Sequence, residues 1–220
     1  EVEAKLAVLD KLLGQYPFFH TYWGKCAFIY ALREISPGSR KILIGQALDH
    51  LDKALENSPM DLEAAFLAYQ LIHKNWGCAW KELAPKYLRI LDQQEHEYRH
   101  FVRAHQMLQL CLNTDTVMST EKRQQMLANC ERAMVLNPKF ADAYALKAHI
   151  VYCLGQYQEA AGNIEKALEL AQAQIKAGKA GQMLRESWPH FLPNQNYSDF
   201  LLWQGKIHSR QEDGTKALHC

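Results

Sequence analysis

The residues with the clearest potential for chemistry are two histidines spaced one helical turn apart. The segment His96-Glu97-Tyr98-Arg99-His100 matches H-E-x-x-H, in which two histidines bind zinc and the glutamate acts as general base. His105 is a conceivable third ligand. Arg103 and Gln106, however, stand where the extended form of this motif requires glycine and histidine, and zinc enzymes bury such a helix, which disfavours Arg99. We therefore expect no bound metal, and a zinc hydrolase remains an alternative hypothesis.

Other pairings of reactive residues give no stronger signal. His149 and Cys153 are one turn apart, but the sequence has no second such pair to complete a metal site. No nucleophile elbow or glycine-rich phosphate loop is present in the sequence. We therefore predict no catalytic residues and no cofactor, and we expect that the protein is not an enzyme.

The cysteines and the composition exclude several classes of protein. The six cysteines are widely separated, unlike those of disulfide scaffolds or zinc modules, and this favours a reducing compartment, the cytoplasm. Hydrophobic residues make up 48% and charged residues 22% of the chain, which indicates a folded protein. With a net charge of +1 and no long apolar run, we expect neither nucleic acid nor membrane as a partner.

The segment from residue 137 to residue 170 has the pattern of two amphipathic helices and a turn. Small and bulky residues alternate on the first helix at Tyr144, Ala148 and Val151, and the second helix carries an apolar stripe, here Ala160, Ile164, Ala167 and Leu168. Gly155 lies between them, where a helix can end with a positive φ. Small residues let two antiparallel helices approach closely while bulky ones fill the gaps.

This segment resembles a tetratricopeptide repeat, a helical hairpin of about 34 residues. Pro17, Pro59 and Pro138 each follow an amphipathic helix end, as such repeats require. The resemblance implies an all-α fold, a right-handed superhelix (α-solenoid) of antiparallel helix hairpins. We expect one array over residues 1–220, made of a partial repeat at 1–17, repeats at 18–59, 60–92, 93–138 and 139–172, an extended helix and loop at 173–197, and a partial repeat at 198–220. Partial repeats at both ends suggest a fragment of a longer protein.

Helices of this family bind partners through the concave groove lined by the first helix of each repeat. The resemblance therefore implies a scaffold that binds a protein or peptide. Applying the repeat register predicts a groove formed by Phe28, Glu63, Phe66, Gln70, His73, Arg99, Gln106, Asp142, His149 and Tyr152. A weaker resemblance of the segment NWGCAWKEL, residues 75–83, suggests an alternative, a regulatory or sensory repeat domain of a bacterial transcription regulator or cyclase.

Overall fold

Helices form the framework of the described part of the chain. A computed structural model describes residues 8, 12–14, 16–34, 36–74, 81–114, 119–179 and 200–211, and among these residues there is no β-strand. The chain divides into two compact units, residues 1–94 and 95–220, each described here by itself. The predicted all-α class is confirmed, whereas the predicted repeat intervals stay a prediction. None of the described helices combines the length and apolar character that a membrane span requires.

The described part of the first unit contains two helix pairs. They are formed by α1 (Pro17–Arg33), α2 (Pro37–Asn57), α3 (Leu62–Lys74) and α4 (Ala84–Leu91), the last preceded by a 3₁₀ turn at Lys81–Leu83. The helices α1 and α2 pack along their lengths, and α3 packs on α4. The buried residues of α2 are apolar and recur every three to four positions, and they are Ile44, Ala47, Leu48, Leu51, Ala54 and Leu55.

Local sequence features set the starts of α2 and α4. The helix α2 begins at Pro37, three residues after the end of the described part of α1 and its C-cap. Proline is favourable at the first helical position, and Ser36 accepts a hydrogen bond from the backbone N–H of Ser39. A 3₁₀ turn at Lys81–Leu83 precedes α4, which starts at Ala84, and residues 75–80 lie outside the described part.

Among its described residues, the second unit contains two longer helix pairs and one further helix. Its helices are α5 (Glu97–Thr114), α6 (Thr120–Leu136), α7 (Ala141–Cys153), α8 (Tyr157–Lys179) and α9 (residues 200–211). Ser119 caps α6 by accepting a hydrogen bond from the backbone N–H of Lys122. Gly155, with φ of 76°, forms the predicted turn between α7 and α8. The segment 173–197, predicted as an extended helix and loop, is described only to residue 179.

The core of the second unit lies where α7, α8 and α9 meet. The α8 stripe of Ala160, Ile164 and Ala167 is fully buried against Ala148 and Val151 of α7. Phe200 and Ile207 of α9 belong to the same cluster. Alanine at the closest points of contact lets the helix backbones approach, which is why the repeat places small residues there. The helix hairpin predicted from the repeat resemblance is therefore confirmed for this pair.

Candidate functional site

The H-E-x-x-H segment does not have the geometry of a metal site. His96 precedes the first residue of α5, Glu97, so the two histidines do not project from one helix. Its Nδ1 accepts a hydrogen bond from the backbone N–H of Tyr98 and lies 3.0 Å from Oε2 of Glu97. Glu97 is itself buried, and its Oε1 accepts a hydrogen bond from Asn137. A buried and hydrogen-bonded glutamate is not placed to accept a proton from a metal-bound water.

His100 joins α5 to its neighbours instead of binding an ion. Its Nδ1 lies 2.9 Å from Oδ1 of Asn129 on α6, and its Nε2 lies 3.0 Å from Oε1 of Glu95. Both ring nitrogens therefore lie within hydrogen-bond distance of polar side chains of the protein. Within the described residues there is no group of three or more histidine, cysteine or acidic side chains that could hold a metal ion. The zinc interpretation of the motif is not supported by this geometry.

Glu95 connects the start of α5 to α6. Its carboxylate accepts hydrogen bonds from Nε of Arg132 at 2.8 Å and from His100, and it lies 3.4 Å from Nη1 of Arg99. Arg132 and then His100 lower the pKa of Glu95 to about 2, so this carboxylate is ionised at neutral pH. The histidines and acids of the motif thus fix the start of α5 on its hairpin partner.

The predicted groove residues of the first unit are mostly buried. Phe28 on α1 is 0% exposed, and Phe66 and Gln70 on α3 are 1% and 5% exposed. The expectation that these three side chains project into a solvated groove is therefore corrected. The physical reason is that α1 and α3 pack directly on each other, with Thr21 Oγ1 donating to Asp61 at 2.7 Å.

Glu63 and His73, the two remaining groove residues of this unit, have partners in the same unit. Lys25 Nζ donates to Glu63 Oε1 at 3.4 Å, and burial raises the pKa of Glu63 while Lys25 opposes the rise. Burial likewise lowers the pKa of Lys25, against the effect of Glu63. A pair of this kind holds two helices in register but offers little to a ligand. His73 is exposed, and its ring centroid lies 4.3 Å from that of Tyr69.

In the second unit the predicted groove residues lie on one accessible surface, which we call the first-helix face. It consists of half-buried side chains of α5 and α7, the first helices of their pairs, and of α9, and it contains Arg99, Gln106, Asp142, His149, Tyr152 and Trp203. The helices are adjacent, because Phe101 of α5 packs on Phe140 at the start of α7, with ring centroids 5.3 Å apart. On α5 and α7, spacings of three and seven residues place these side chains on one side of each helix.

An aromatic cluster forms the α7–α9 part of this face. The ring of Trp203 lies 4.0 Å from that of His149 and 5.6 Å from that of Tyr152, measured between centroids. Lys206 Nζ lies 4.7 Å from the centroid of the Trp203 ring, within cation–π distance. Burial, and secondarily Lys206, lowers the pKa of His149 to about 4, so its imidazole is neutral at physiological pH. The cluster is therefore a neutral aromatic surface with one cation at its edge.

Trp203 and Lys206 were not among the predicted site residues. The sequence carried a signal for both, because residues 198–220 were assigned to a partial repeat whose first helix includes them. Extending the groove register by one more repeat would have placed Trp203 and Lys206 beside His149 and Tyr152. The prediction stopped one helix too early.

Comparison with known proteins gives similarity at the level of the fold. No family model matches the chain, and no curated protein matches it in sequence. Among solved structures, a crystal structure of MamA protein is 13% identical, covers 92% of this chain and 96% of its own, and has a TM-score of 0.39. A thermophilic TPR protein of Thermus thermophilus is 17% identical, covering 81% of this chain and 99% of its own with a TM-score of 0.46. What this chain binds has to be inferred from its own side chains.

Proposed function

We propose that the chain is a binding scaffold and that the first-helix face of the second unit holds an extended peptide or a helix of a partner protein. The observation that carries this proposal is the composition of that face. Amide, charged and aromatic side chains lie half-exposed on three adjacent helices, while the apolar residues of the same helices are buried beneath them. Arginine, tyrosine and tryptophan are the residue types that contribute most binding energy at protein interfaces.

The contacts of these side chains favour binding over catalysis. Tyr152 packs edge-on against Trp203 and lies 5.5 Å from Tyr157, so three rigid rings are held in place before a partner arrives. Preorganised aromatic side chains lose little conformational entropy on binding. Gln106 and Asp142 offer hydrogen-bonding groups of the kind that fix the backbone of an extended peptide. In the first unit three of the five equivalent residues, Phe28, Phe66 and Gln70, are buried, so we place the site on the second unit.

The test is selection of peptides on the purified chain, followed by affinity measurement with variants. Phage-displayed random dodecapeptides are selected on the wild-type protein, and the enriched sequences are synthesised with a fluorescein label. Fluorescence anisotropy then compares the wild type with the double variant Arg99→Ala, Tyr152→Ala. We expect a loss of at least about 2 kcal/mol in binding free energy, roughly thirtyfold in Kd, because both types of side chain are usual interface anchors.

A matched double variant on a second helix controls for non-specific effects. Lys122 and Gln124 are exposed on α6, so Lys122→Ala, Gln124→Ala should leave the affinity within about twofold. Far-ultraviolet circular dichroism of both double variants should equal that of the wild type. Peptides that bind the Arg99, Tyr152 variant as tightly as the wild type would show that this face is not the site, as would a selection that enriches no binder.

A further inference from the structure

A cation of the chain itself lies over the ring of Trp203. Lys206 is exposed on α9, and its Nζ lies 4.7 Å from the centroid of that ring. No carboxylate among the described residues pairs with Lys206, so the ring is the group that attracts its ammonium. The negative face of an aromatic ring attracts a cation placed within about 6 Å of its centre. The position of Lys206 therefore marks the face of Trp203 that a cation from outside can reach.

Two tyrosine rings extend this surface. The ring centroid of Tyr152 lies 5.6 Å from that of Trp203, with the two planes at 74°, and Tyr157 lies 5.5 Å from Tyr152 at 58°. All three side chains are half-buried, so each leaves part of its ring accessible. Rings that are steeply inclined to one another can contact a rounded ligand from different sides. We call Tyr152, Tyr157 and Trp203 the three-ring surface.

Buried contacts of α9 fix the three-ring surface before any ligand arrives. Phe200 and Ile207, on either side of Trp203 along α9, belong to the core that α7 and α8 form with this helix. Gln211, at the end of α9, donates from Nε2 to the backbone oxygen of Tyr157 at 3.3 Å, which joins α9 to the start of α8. A ligand that binds to rings held in this way orders few side chains, so little conformational entropy is lost.

The surface suits a cation that is larger and less hydrated than the ammonium of lysine. Lysine carries a compact, strongly hydrated charge, whereas a quaternary ammonium has methyl groups in place of N–H and can pack them on several rings while its charge faces them. Burial, and secondarily Lys206, lowers the pKa of the neighbouring His149 to about 4, so this imidazole is neutral at physiological pH and does not repel a cation. Because Lys206 is exposed, its side chain can turn into solvent when another cation takes its place.

We propose that the three-ring surface binds a quaternary ammonium group, which displaces Lys206 from the face of Trp203. A small ion of the choline type and a trimethylated lysine side chain offer this same group. The site does not depend on the peptide-binding function proposed above, since a free ion can occupy it without a peptide. Displacement has a distinctive consequence: the charge of Lys206 opposes the ligand, so removing that charge should strengthen binding.

Isothermal titration calorimetry on the full chain tests the site with two pairs of probes. The first pair is choline and 3,3-dimethylbutan-1-ol, which has the same shape without the charge, and we expect choline to bind at least about tenfold more tightly. The second pair is a Gly/Ser dodecapeptide with either trimethyllysine or lysine at its centre. A gain of at least about fivefold on trimethylation assigns the ligand to a protein side chain. Equal binding of the two peptides, with choline bound, assigns it to a free ion, and either result supports the site.

Two variants of the surface, each with a matched control, test its residues. Trp203→Leu keeps an apolar side chain but removes the ring, and it should weaken choline binding at least about tenfold. Lys206→Gln should strengthen it at least about threefold, because the competing cation is gone. The controls are Tyr144→Leu, a half-buried ring elsewhere on α7, and Lys176→Gln, an exposed lysine on α8, and both should stay within about twofold of the wild type. Circular dichroism verifies that all four variants fold.

Four results would overturn the inference. Equal binding of choline and its uncharged analogue would show apolar contact only, and an unchanged affinity in Trp203→Leu would place the ion elsewhere. Weaker binding in Lys206→Gln would show that Lys206 is not displaced. Absence of binding by the wild type and by Lys206→Gln up to about 10 mM of either charged probe would refute the site. Peptides from the random selection that lose affinity in Arg99→Ala, Tyr152→Ala would then still support the peptide-binding function.

Discussion

Gly24 is the position where the packing of the first helix pair can be tested most sharply. A Cβ atom at Gly24 of α1 would lie 2.6 Å from Cγ and 2.8 Å from Cδ2 of Leu51, and 3.1 Å from the backbone oxygen of Ala47. Leu51 is 0% exposed, so its side chain has no solvent to move into. The helix backbones must therefore separate to accept even one methyl group, and we expect Gly24→Ala to destabilise the protein.

The magnitude follows from two opposing terms. Replacing glycine by alanine inside a helix contributes up to about 1 kcal/mol of stability through backbone entropy. Inserting a methyl group into a tightly packed junction costs about 1–3 kcal/mol. Gly45 on α2 is the matched control, because no atom lies within 4 Å of a Cβ added there. Gly45→Ala should therefore change stability only through the higher helix propensity of alanine, and the two variants should differ by about 1–3 kcal/mol in free energy of unfolding.

The assay is equilibrium unfolding in urea, followed by circular dichroism at 222 nm and by tryptophan fluorescence. Trp23 lies beside Gly24, so the fluorescence signal includes the first unit. Two probes are needed because a chain with two compact units need not unfold in one step. We expect Gly24→Ala to unfold at a lower urea midpoint than the wild type and Gly45→Ala at an equal or higher one. Equal midpoints for the two variants would show that α1 does not pack on α2 with this register.

Three further predictions address the core, the aromatic cluster and the histidine motif. Ala160→Phe should lower the free energy of unfolding in urea by about 1–3 kcal/mol, because Ala160 is fully buried. Ala173→Phe, on the exposed side of the same helix, should lower it by less than about 0.5 kcal/mol. Equal losses for the two variants would refute the register of α8. His149 has a folded pKa of about 4 against 6.5 as its ordinary value, so the unfolded chain binds the proton first and wild-type stability should fall by up to about 3 kcal/mol as pH drops from 6.5 to 4. That pH dependence should be smaller in His149→Gln, and an unchanged slope would contradict the burial of the imidazole. Metal analysis after dialysis should give clearly substoichiometric zinc, and one equivalent lost on His96→Ala would restore the hydrolase hypothesis.

Local features of the fold could be predicted from the sequence because short segments determine them. Gly155 follows the end of α7 with a positive φ, and Ser119 caps the start of α6, in both cases through groups within a few residues. The buried stripe of Ala160, Ile164 and Ala167 follows directly from helical periodicity. These predictions needed no knowledge of how one helix pair lies against another.

Features that depend on contacts between helix pairs were harder to predict. The repeat register identified Phe28 and Phe66 as groove residues, but the close packing of α1 and α3 buries both. The register also gives no information on hydrogen bonding. The H-E-x-x-H segment matches a zinc motif in sequence, but its His100 side chain lies within hydrogen-bond distance of Asn129 and Glu95, and its Glu97 accepts a hydrogen bond from Asn137. Spacing along one helix predicts which residues share a side, but neighbouring helices decide whether that side is accessible.

The most direct test of the proposed site is hydrogen–deuterium exchange of the chain with and without a saturating dodecapeptide from the selection described under the proposed function. Binding on the first-helix face should slow exchange in α5, α7 and α9, since their backbone is covered and rigidified, with little change in α6 and α8. The variant Lys122→Ala, Gln124→Ala should give the same pattern. Protection that falls on α6 and α8, or no protection at a peptide concentration well above Kd, would contradict the assignment of the binding site.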